Sequence, residues 1–146
     1  MEYKLLETIP KNRKIIKDLL TLYEEIFQVS NTNLLREINE KKHLLLILAF
    51  DHETVIGFKI GYERKEKHFY SWIGGVHPNY RKQGISSKLM RMQHKWCKEN
   101  GYKTIQTKTK NKWRNMLMLN IKHEFNIIDT YTDEKGETKI ILEKTL

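Results

Sequence analysis

A short basic turn that leads into an amphipathic run is the part of the sequence best suited to chemistry. The stretch GVHPNYRKQGISSK, residues 75–88, contains Arg81, Lys82 and Gly84 where a strand ends and a helix is predicted to begin. The first amides of a helix have no intrahelical acceptor and carry the positive end of its dipole, so they bind anions through backbone alone. Glycine costs about 1 kcal/mol relative to alanine inside a helix, but it lets a phosphate approach those amides. The turn therefore predicts a phosphate or pyrophosphate site.

The residues around this turn exclude some phosphate sites and leave one alternative open. Neither the GxxxxGK[ST] pattern of a P-loop nor the GxGxxG pattern of dinucleotide sites is present, so nucleoside triphosphates and NAD are poor candidates. Gly74 and Gly75, at the end of the preceding strand, suggest a bulge or the close approach of a ligand. The alternative is that Gly84 only breaks the turn before a core helix, and spacing alone leaves both interpretations open.

Apolar periodicity predicts the elements that must position this turn. Eleven segments alternate in the order β-α-α-β-β-β-α-β-α-β-β, with one β-α-β crossover around the turn, which we expect to be right-handed. The predicted strands are 3–9, 43–50, 54–62, 68–76, 102–109, 126–132 and 138–144. Four helices are predicted. The first runs from Pro10 to Phe27, and the second begins at a cap within 30–33 and ends near Lys42. The third runs from Gly84 to a C-terminal glycine at Gly101, and the fourth covers 112–125.

Length and composition indicate one globular domain spanning residues 1–146. The chain is 39% hydrophobic and long enough to bury a core. No apolar run approaches the roughly 18 residues of a membrane span, and the first residues lack the build of a signal peptide. Cys97 is the single cysteine, which excludes an internal disulfide, and the histidines show no zinc spacing. We therefore expect a soluble, cytoplasmic protein with no bound metal.

The net charge of +9 and the pI of about 9.5 are compatible with a nucleic acid or another anionic partner. Most lysines are spread along the chain, which is typical of a solvated surface. The exception is a basic cluster around Trp113, which resembles an aromatic and basic nucleic-acid patch and is also compatible with a solvated helix entrance. It consists of Lys108, Lys110, Lys112 and Arg114.

The turn and its frame resemble motif A of the GCN5-related N-acetyltransferases, the GNAT family. Arg81, Gly84 and Ser86 occupy the three positions of the R/Q-x-x-G-x-G/A signature, with serine where glycine or alanine is usual. The predicted order of elements is similar to that family's along nearly the whole chain. The resemblance implies an α/β fold of the GNAT-like acyl-CoA N-acyltransferase type. Its central, mostly antiparallel sheet would be splayed between strands 4 and 5 and flanked by about four helices.

The resemblance also implies acetyl-CoA as cosubstrate and a reaction in which a primary amine attacks the thioester directly. The edge formed by Gly74, Gly75 and Val76 would pair with the pantetheine amides, and an amide near Val76 would stabilise the oxyanion. Asn111 and Asn115 lie near the family's pantetheine-contacting asparagine, and the basic cluster would help to bind the 3′-phosphate of coenzyme A. The pyrophosphate would contact the amides of Lys82, Gln83, Gly84, Ile85, Ser86 and Ser87.

Catalytic groups are less clear, because the family's second landmark matches loosely. Asn120 falls where the last helix usually has a tyrosine, and Lys108 falls near the fifth-strand glutamate of some members. The remaining candidates are Tyr70, His77 and Glu63. Tyr70 shares a strand face with Trp72, His77 carries an imidazole, the side chain most often used as a general base, and Glu63 follows the third strand closely enough to reach the cleft. Core packing for Tyr70 and a turn role for His77 are the alternatives.

We therefore expect an acyltransferase acting on a small-molecule or peptide amine, without a membrane partner and with nucleic acid disfavoured. Basic segments beside the predicted acceptor site mildly favour an acidic or uncharged amine. Family members often form homodimers. A non-catalytic CoA-binding sensor or a basic nucleic-acid-binding module stays open as the alternative, since the usual tyrosine and glutamate are missing.

Overall fold

One sheet contains every strand of the chain in the computed structural model, which describes all residues from 1 to 146. Its strands lie in the order β1-β2-β3-β4-β5-β7-β6, and all neighbours are antiparallel except β4 and β5, which are parallel. The strands are β1 (Glu2–Leu6), β2 (Leu45–Asp51), β3 (Thr54–Lys65), β4 (His68–Val76), β5 (Thr104–Lys110), β6 (Asn126–Thr132) and β7 (Thr138–Thr145).

Four helices complete the fold, and the order of elements is the predicted one. They are α1 (Arg13–Phe27), α2 (Leu34–Asn39), α3 (Ile85–Glu99) and α4 (Arg114–Lys122). Asn12, rather than Pro10, starts α1, because its side chain accepts hydrogen bonds from the amides of Lys14 and Ile15. The predicted cap of α2 is wrong, since Asn33 makes no side-chain capping bond. None of the helices has the length and apolar character needed to span a bilayer.

Two apolar clusters hold helices on opposite faces of the sheet. On one face, leucines of α1 and α2 pack on β2 and β3, where Phe58 and Ile60 are fully buried. On the other face, α3 packs on β2 to β5 through residues that include Leu89 and Cys97. Burial raises the pKa of the Cys97 thiol, so this cysteine is a core residue, as the sequence predicted, and not a reactive nucleophile.

The sheet opens between β4 and β5. Their parallel ladder joins His68–Ser71 to Thr104–Thr107, although β4 continues to Val76 and β5 to Lys110. Beyond this ladder the edge of β4 that faces β5 has no partner strand. The predicted fold class is therefore confirmed: a mixed, mostly antiparallel sheet, splayed between strands 4 and 5 and flanked by four helices.

A β-bulge lies in β4, but not at the glycines where the sequence suggested one. The register with β3 passes from Ile73 directly to Ser71, so Trp72 is the extra residue. Gly74 and Gly75 keep regular pairing. Their missing side chains are explained by packing, because a Cβ at Gly75 would lie 2.8 Å from Ile26 Cδ1 of α1.

We expect Gly61→Ala, beside this bulge, to destabilise the fold by about 1–3 kcal/mol. Its Cβ would lie 2.7 Å from the Tyr70 carbonyl oxygen and would overlap the Phe69 ring. The matched control is Gly57→Ala, whose Cβ would make an ordinary contact of 3.4 Å with Ile85. Urea unfolding of both variants checks this, and equal losses would contradict the packing argument.

Candidate active site

The turn between β4 and α3 is tied by hydrogen bonds and has a strained backbone. His77 begins a single helical turn over Pro78–Tyr80 by accepting a hydrogen bond from the Asn79 amide. The Tyr80 hydroxyl donates to the Asp51 carboxylate. Lys82 and Gly84 then adopt positive φ angles of 63° and 79°. No atom lies within 4 Å of a Cβ built at Gly84, so the protein itself requires this glycine for its backbone conformation.

A run of free amides follows this turn. The first intrahelical bond of α3 is donated by Lys88 to the Gly84 carbonyl at 3.0 Å. None of the six amides from Lys82 to Ser87 donates to a protein acceptor. The helix dipole adds positive potential here, and Arg81 and Lys82 are exposed beside it. Such an arrangement binds a phosphate or pyrophosphate through backbone.

The open edge of β4 adds further free polar groups next to this turn. The His77 amide donates to Ile56 of β3 at 2.8 Å. Since successive amides of a strand point to opposite edges, the Val76 and Gly74 amides point toward β5, which has separated there. Arg81 Nε donates to the Val76 carbonyl at 3.2 Å. An extended ligand can therefore pair with β4 as an added strand.

A narrow cavity lies where the β4 edge, the start of α3 and α4 meet. Its lining includes Gly74, Gly75, Ser86, Met116 and Leu119. A larger cavity of about 430 Å³, lined by Glu63, Trp96 and Tyr102 among others, lies near the start of β4, at the other end of that strand from the free amides. We place the candidate site at the narrow cavity, because only there do free amides and an open strand edge converge.

Lys59 also lines the narrow cavity, although no sequence motif pointed to it. It pairs with Gly74 across β3 and β4, and a Cβ at Gly74 would lie 3.4 Å from Lys59 Cγ, so glycine leaves room for the lysine. Lys59 makes no ion pair. Burial lowers its pKa to about 8. The sequence feature that could have pointed to Lys59 is a charged residue inside the otherwise apolar strand VIGFKIGY.

Tyr70 lies near the opening of the sheet, and Asn120 is buried in α4. Tyr70 pairs with Gln106 one step before the ladder ends, and burial raises the pKa of its phenol. Asn120 is the single buried residue of α4, and its carbonyl accepts from the Phe125 amide at 3.0 Å.

The other two predicted catalytic residues are engaged elsewhere. His77 caps the turn and lies 3.5 Å from Glu25. Glu63 lies within β3 rather than after it, pairs with Phe69 near the start of β4, and contacts Lys42 at 3.2 Å. The Tyr102 hydroxyl also donates to Glu63 at 3.1 Å. The structure therefore does not bring Glu63 to the narrow cavity.

The family model described as Acetyltransferase (GNAT) family matches residues 12–115. The chain belongs to the GNAT acetyltransferase family. Its matched segment includes the turn, the free amides and the open edge of β4, whereas most of α4 lies beyond it. No curated protein matches this GNAT chain in sequence.

Solved structures share the fold of this GNAT domain at low sequence identity. An aminoglycoside 6′-N-acetyltransferase complexed with coenzyme A has a TM-score of 0.83 and 14% identity, over 97% of this chain and 96% of that one. The ribosomal-protein-S18-alanine N-acetyltransferase of Escherichia coli has a TM-score of 0.80 and 14% identity, over 99% and 94%. The IAA acetyltransferase of Bacillus cereus ATCC 14579 has a TM-score of 0.79 and 22% identity, over 99% of this chain and 100% of that one. Identities this low establish the shared fold alone.

The predicted basic cluster is divided in this GNAT domain. Lys110 and Lys112 both pair with Glu137, at 3.1 and 3.2 Å, and the Lys110 ammonium also lies 4.8 Å from the Trp113 ring centre. The single carboxylate of Glu137 thus offsets one of these two positive charges, which weakens the cluster as a nucleic-acid patch. Asn111 and Asn115 are exposed at the end of β5 and the start of α4.

Lys59→Met should stabilise the GNAT domain at pH 7, by up to roughly 3 kcal/mol. The folded pKa of about 8 lies below the reference value of 10.5. The unfolded chain therefore holds more protons between these values, and wild-type stability rises with pH across that window. The gain from Lys59→Met should consequently be largest below pH 8 and vanish above 10.5.

Urea unfolding over a pH series measures this difference. The exposed helical control Lys95→Met should change stability little at any pH in the series. A gain from Lys59→Met that is independent of pH would contradict the burial of a charged amine.

Proposed function

We propose that this GNAT domain transfers an acetyl group from acetyl-CoA to a primary amine by direct attack within a ternary complex. The observation that carries the proposal is the run of free amides from Lys82 to Ser87 beside the unpaired edge of β4. One neighbour with the same fold was solved with coenzyme A. Because all seven strands share one sheet, we also treat residues 1–146 as one domain.

In this proposal the backbone holds the cosubstrate in two places. The amides of Lys82 to Ser87 donate hydrogen bonds to the pyrophosphate oxygens, and Arg81 and Lys82 add positive potential. The edge of Gly74–Val76 pairs with the pantetheine amides as an added strand. Asn111 and Asn115 lie at the entrance to α4, on the other side of the gap. Backbone recognition needs few particular side chains, which agrees with serine at position 86.

The chemistry then depends mainly on position. The amine attacks the thioester carbonyl, a β4 amide such as that of Val76 stabilises the oxyanion, and the carbon–sulfur bond breaks to release a thiolate. Asn120 cannot protonate that thiolate as a phenol would. We assign the donor role to Lys59, whose ammonium gives its proton to sulfur and becomes neutral. The proton that the attacking nitrogen loses passes to solvent, and a proton from solvent recharges Lys59 before the next turnover. Its pKa of about 8 is close to the value of about 8.5 for a thiol, which favours transfer.

The remaining predicted residues take other parts in this proposal. Tyr70, whose pKa is raised by burial, stays protonated and forms a wall of the acceptor side near the end of the ladder. His77 supports the turn rather than acting as a base. Glu63 is left out of the chemistry.

Saturating acetyl-CoA should raise the melting temperature, because a ligand that binds only the folded state stabilises it. Release of free thiol with a panel of amines should then follow. A thermal shift without thiol release from any amine would favour the non-catalytic sensor, and no shift would contradict the proposal. An oligonucleotide-induced shift with steep salt dependence would favour the nucleic-acid module.

Lys59→Met should lower kcat by about 100-fold, since general acid–base groups contribute about 10²–10⁴-fold, while acetyl-CoA still shifts the melting temperature. Lys59→Arg should have a lowered kcat as well, because arginine keeps the charge but does not give up its proton. Thiol release at saturating substrates measures both variants, with Lys95→Met as the matched surface control. Wild-type kcat in Lys59→Arg would contradict the donor role.

A further inference from the structure

Aromatic side chains gather on the sheet face opposite α3 and α4. Phe69 and Ile105 are buried beneath α3, so Tyr70 and Gln106, next to them in their strands, project from the other face. The Tyr62 ring lies 5.7 Å from that of Tyr70 and 5.8 Å from that of Trp72, both edge-to-face. We call this group, with the 40% exposed Tyr131 of β6, the aromatic platform.

Three cations lie over the aromatic platform. The Lys41 ammonium is 4.7 Å from the ring centre of Tyr62 and 4.8 Å from that of Trp72. Arg64 lies 4.5 Å above Tyr70, and Lys108 lies 5.4 Å from Tyr131. These distances are within the range of cation–π attraction.

None of these cations has a carboxylate within 4.0 Å. Arg64 donates to the side-chain oxygen of Gln106 and contacts a ring nitrogen of His68 at 3.2 Å. The carboxylate of Glu143 accepts from Gln106 at 3.3 Å instead of pairing with Arg64. Lysines elsewhere differ: Lys110, Lys112 and Lys139 all pair with acids. The platform therefore holds three uncompensated positive charges.

These charges flank the opening between β4 and β5. Tyr70 precedes the last ladder pair, Ser71 with Thr107, and Lys108 follows it. The free amides and the narrow cavity are reached from the face that carries α3 and α4. An amine that enters from the opposite face therefore leaves the rest of its molecule beside the three cations.

We propose that the acceptor is a primary amine carrying an anionic group, a carboxylate or a phosphate, which binds Lys41, Arg64 and Lys108 on the aromatic platform. An empty aromatic cage attracts cations, but here the protein's own cations occupy the ring faces and present donors to an anion. A polycationic acceptor meets like charge at the same place. This inference rests on the proposed acetyl transfer and names its substrate class.

Matched amines that differ only in charge test the proposal. Thiol release with acetyl-CoA is measured for β-alanine against β-alaninamide, for phosphoethanolamine against ethanolamine, and for putrescine. We expect kcat/KM to be at least about fivefold higher for one or both anionic amines than for the neutral partner, and lowest for putrescine. The two pairs distinguish carboxylate from phosphate. Added salt should weaken the preference, because it screens exposed charges.

Charge variants assign the effect to the platform. Lys108→Glu and Arg64→Gln should lower kcat/KM for the anionic amine. They should leave the acetyl-CoA thermal shift unchanged, because Lys108 lies over Tyr131 and apart from Lys110 and Lys112, which pair with Glu137. Lys108→Glu should also raise kcat/KM for putrescine. The matched control is Lys95→Glu, which changes an exposed lysine of α3 on the other face. It should alter neither kcat/KM for these amines nor the acetyl-CoA thermal shift.

Each outcome bears on one proposal only. Equal or faster turnover of the neutral amines, or an anionic preference that survives Lys108→Glu and Arg64→Gln together, would overturn the anionic acceptor while acetyl transfer stands. Absence of both the thermal shift and thiol release would instead remove the acetyl transfer itself.

Discussion

Beyond Ser71, β4 has a hydrogen-bonded neighbour on one side only, and the candidate site depends on that constraint. The Thr107 hydroxyl donates to the Ser71 carbonyl at 2.9 Å, at the last pair of the ladder. The bulge at Trp72 follows at once, and a bulge bends its strand and increases the local twist. The remaining residues of β4 are thus held by β3 while their other edge stays open.

This opening gives the two faces of the sheet different chemistry. On the face of α3 and α4, backbone amides and the half-buried Lys59 surround a narrow cavity suited to an anionic cofactor. On the opposite face, cations lie over aromatic rings without acidic partners. A reaction between ligands that enter from opposite faces needs such a gap, since a fully paired sheet would separate them.

The α3 side of the sheet also carries polar groups that cost stability. Lys59 is half-buried without a carboxylate, and both amide atoms of the buried Gln93 lack partners. The neighbouring His94 has its pKa lowered to about 3, first by burial and then by Lys144 and Lys59, so it is neutral near pH 7. Unpaired buried polar groups each cost about 1–3 kcal/mol. Costs of this kind concentrate at functional sites, where stability and activity compete.

Local patterns in the sequence determined the order of elements, the strand–turn–helix frame and the free amides at Gly84, because hydrophobic period and helix termini depend on near neighbours. Tertiary structure alone decided which side chains meet. It placed the bulge at Trp72 rather than at the glycines, engaged Glu63 and His77 elsewhere, and brought Lys59 from β3 under Gly74 to the cavity. Register, twist and packing between distant segments determine such contacts, and no short window of sequence contains them.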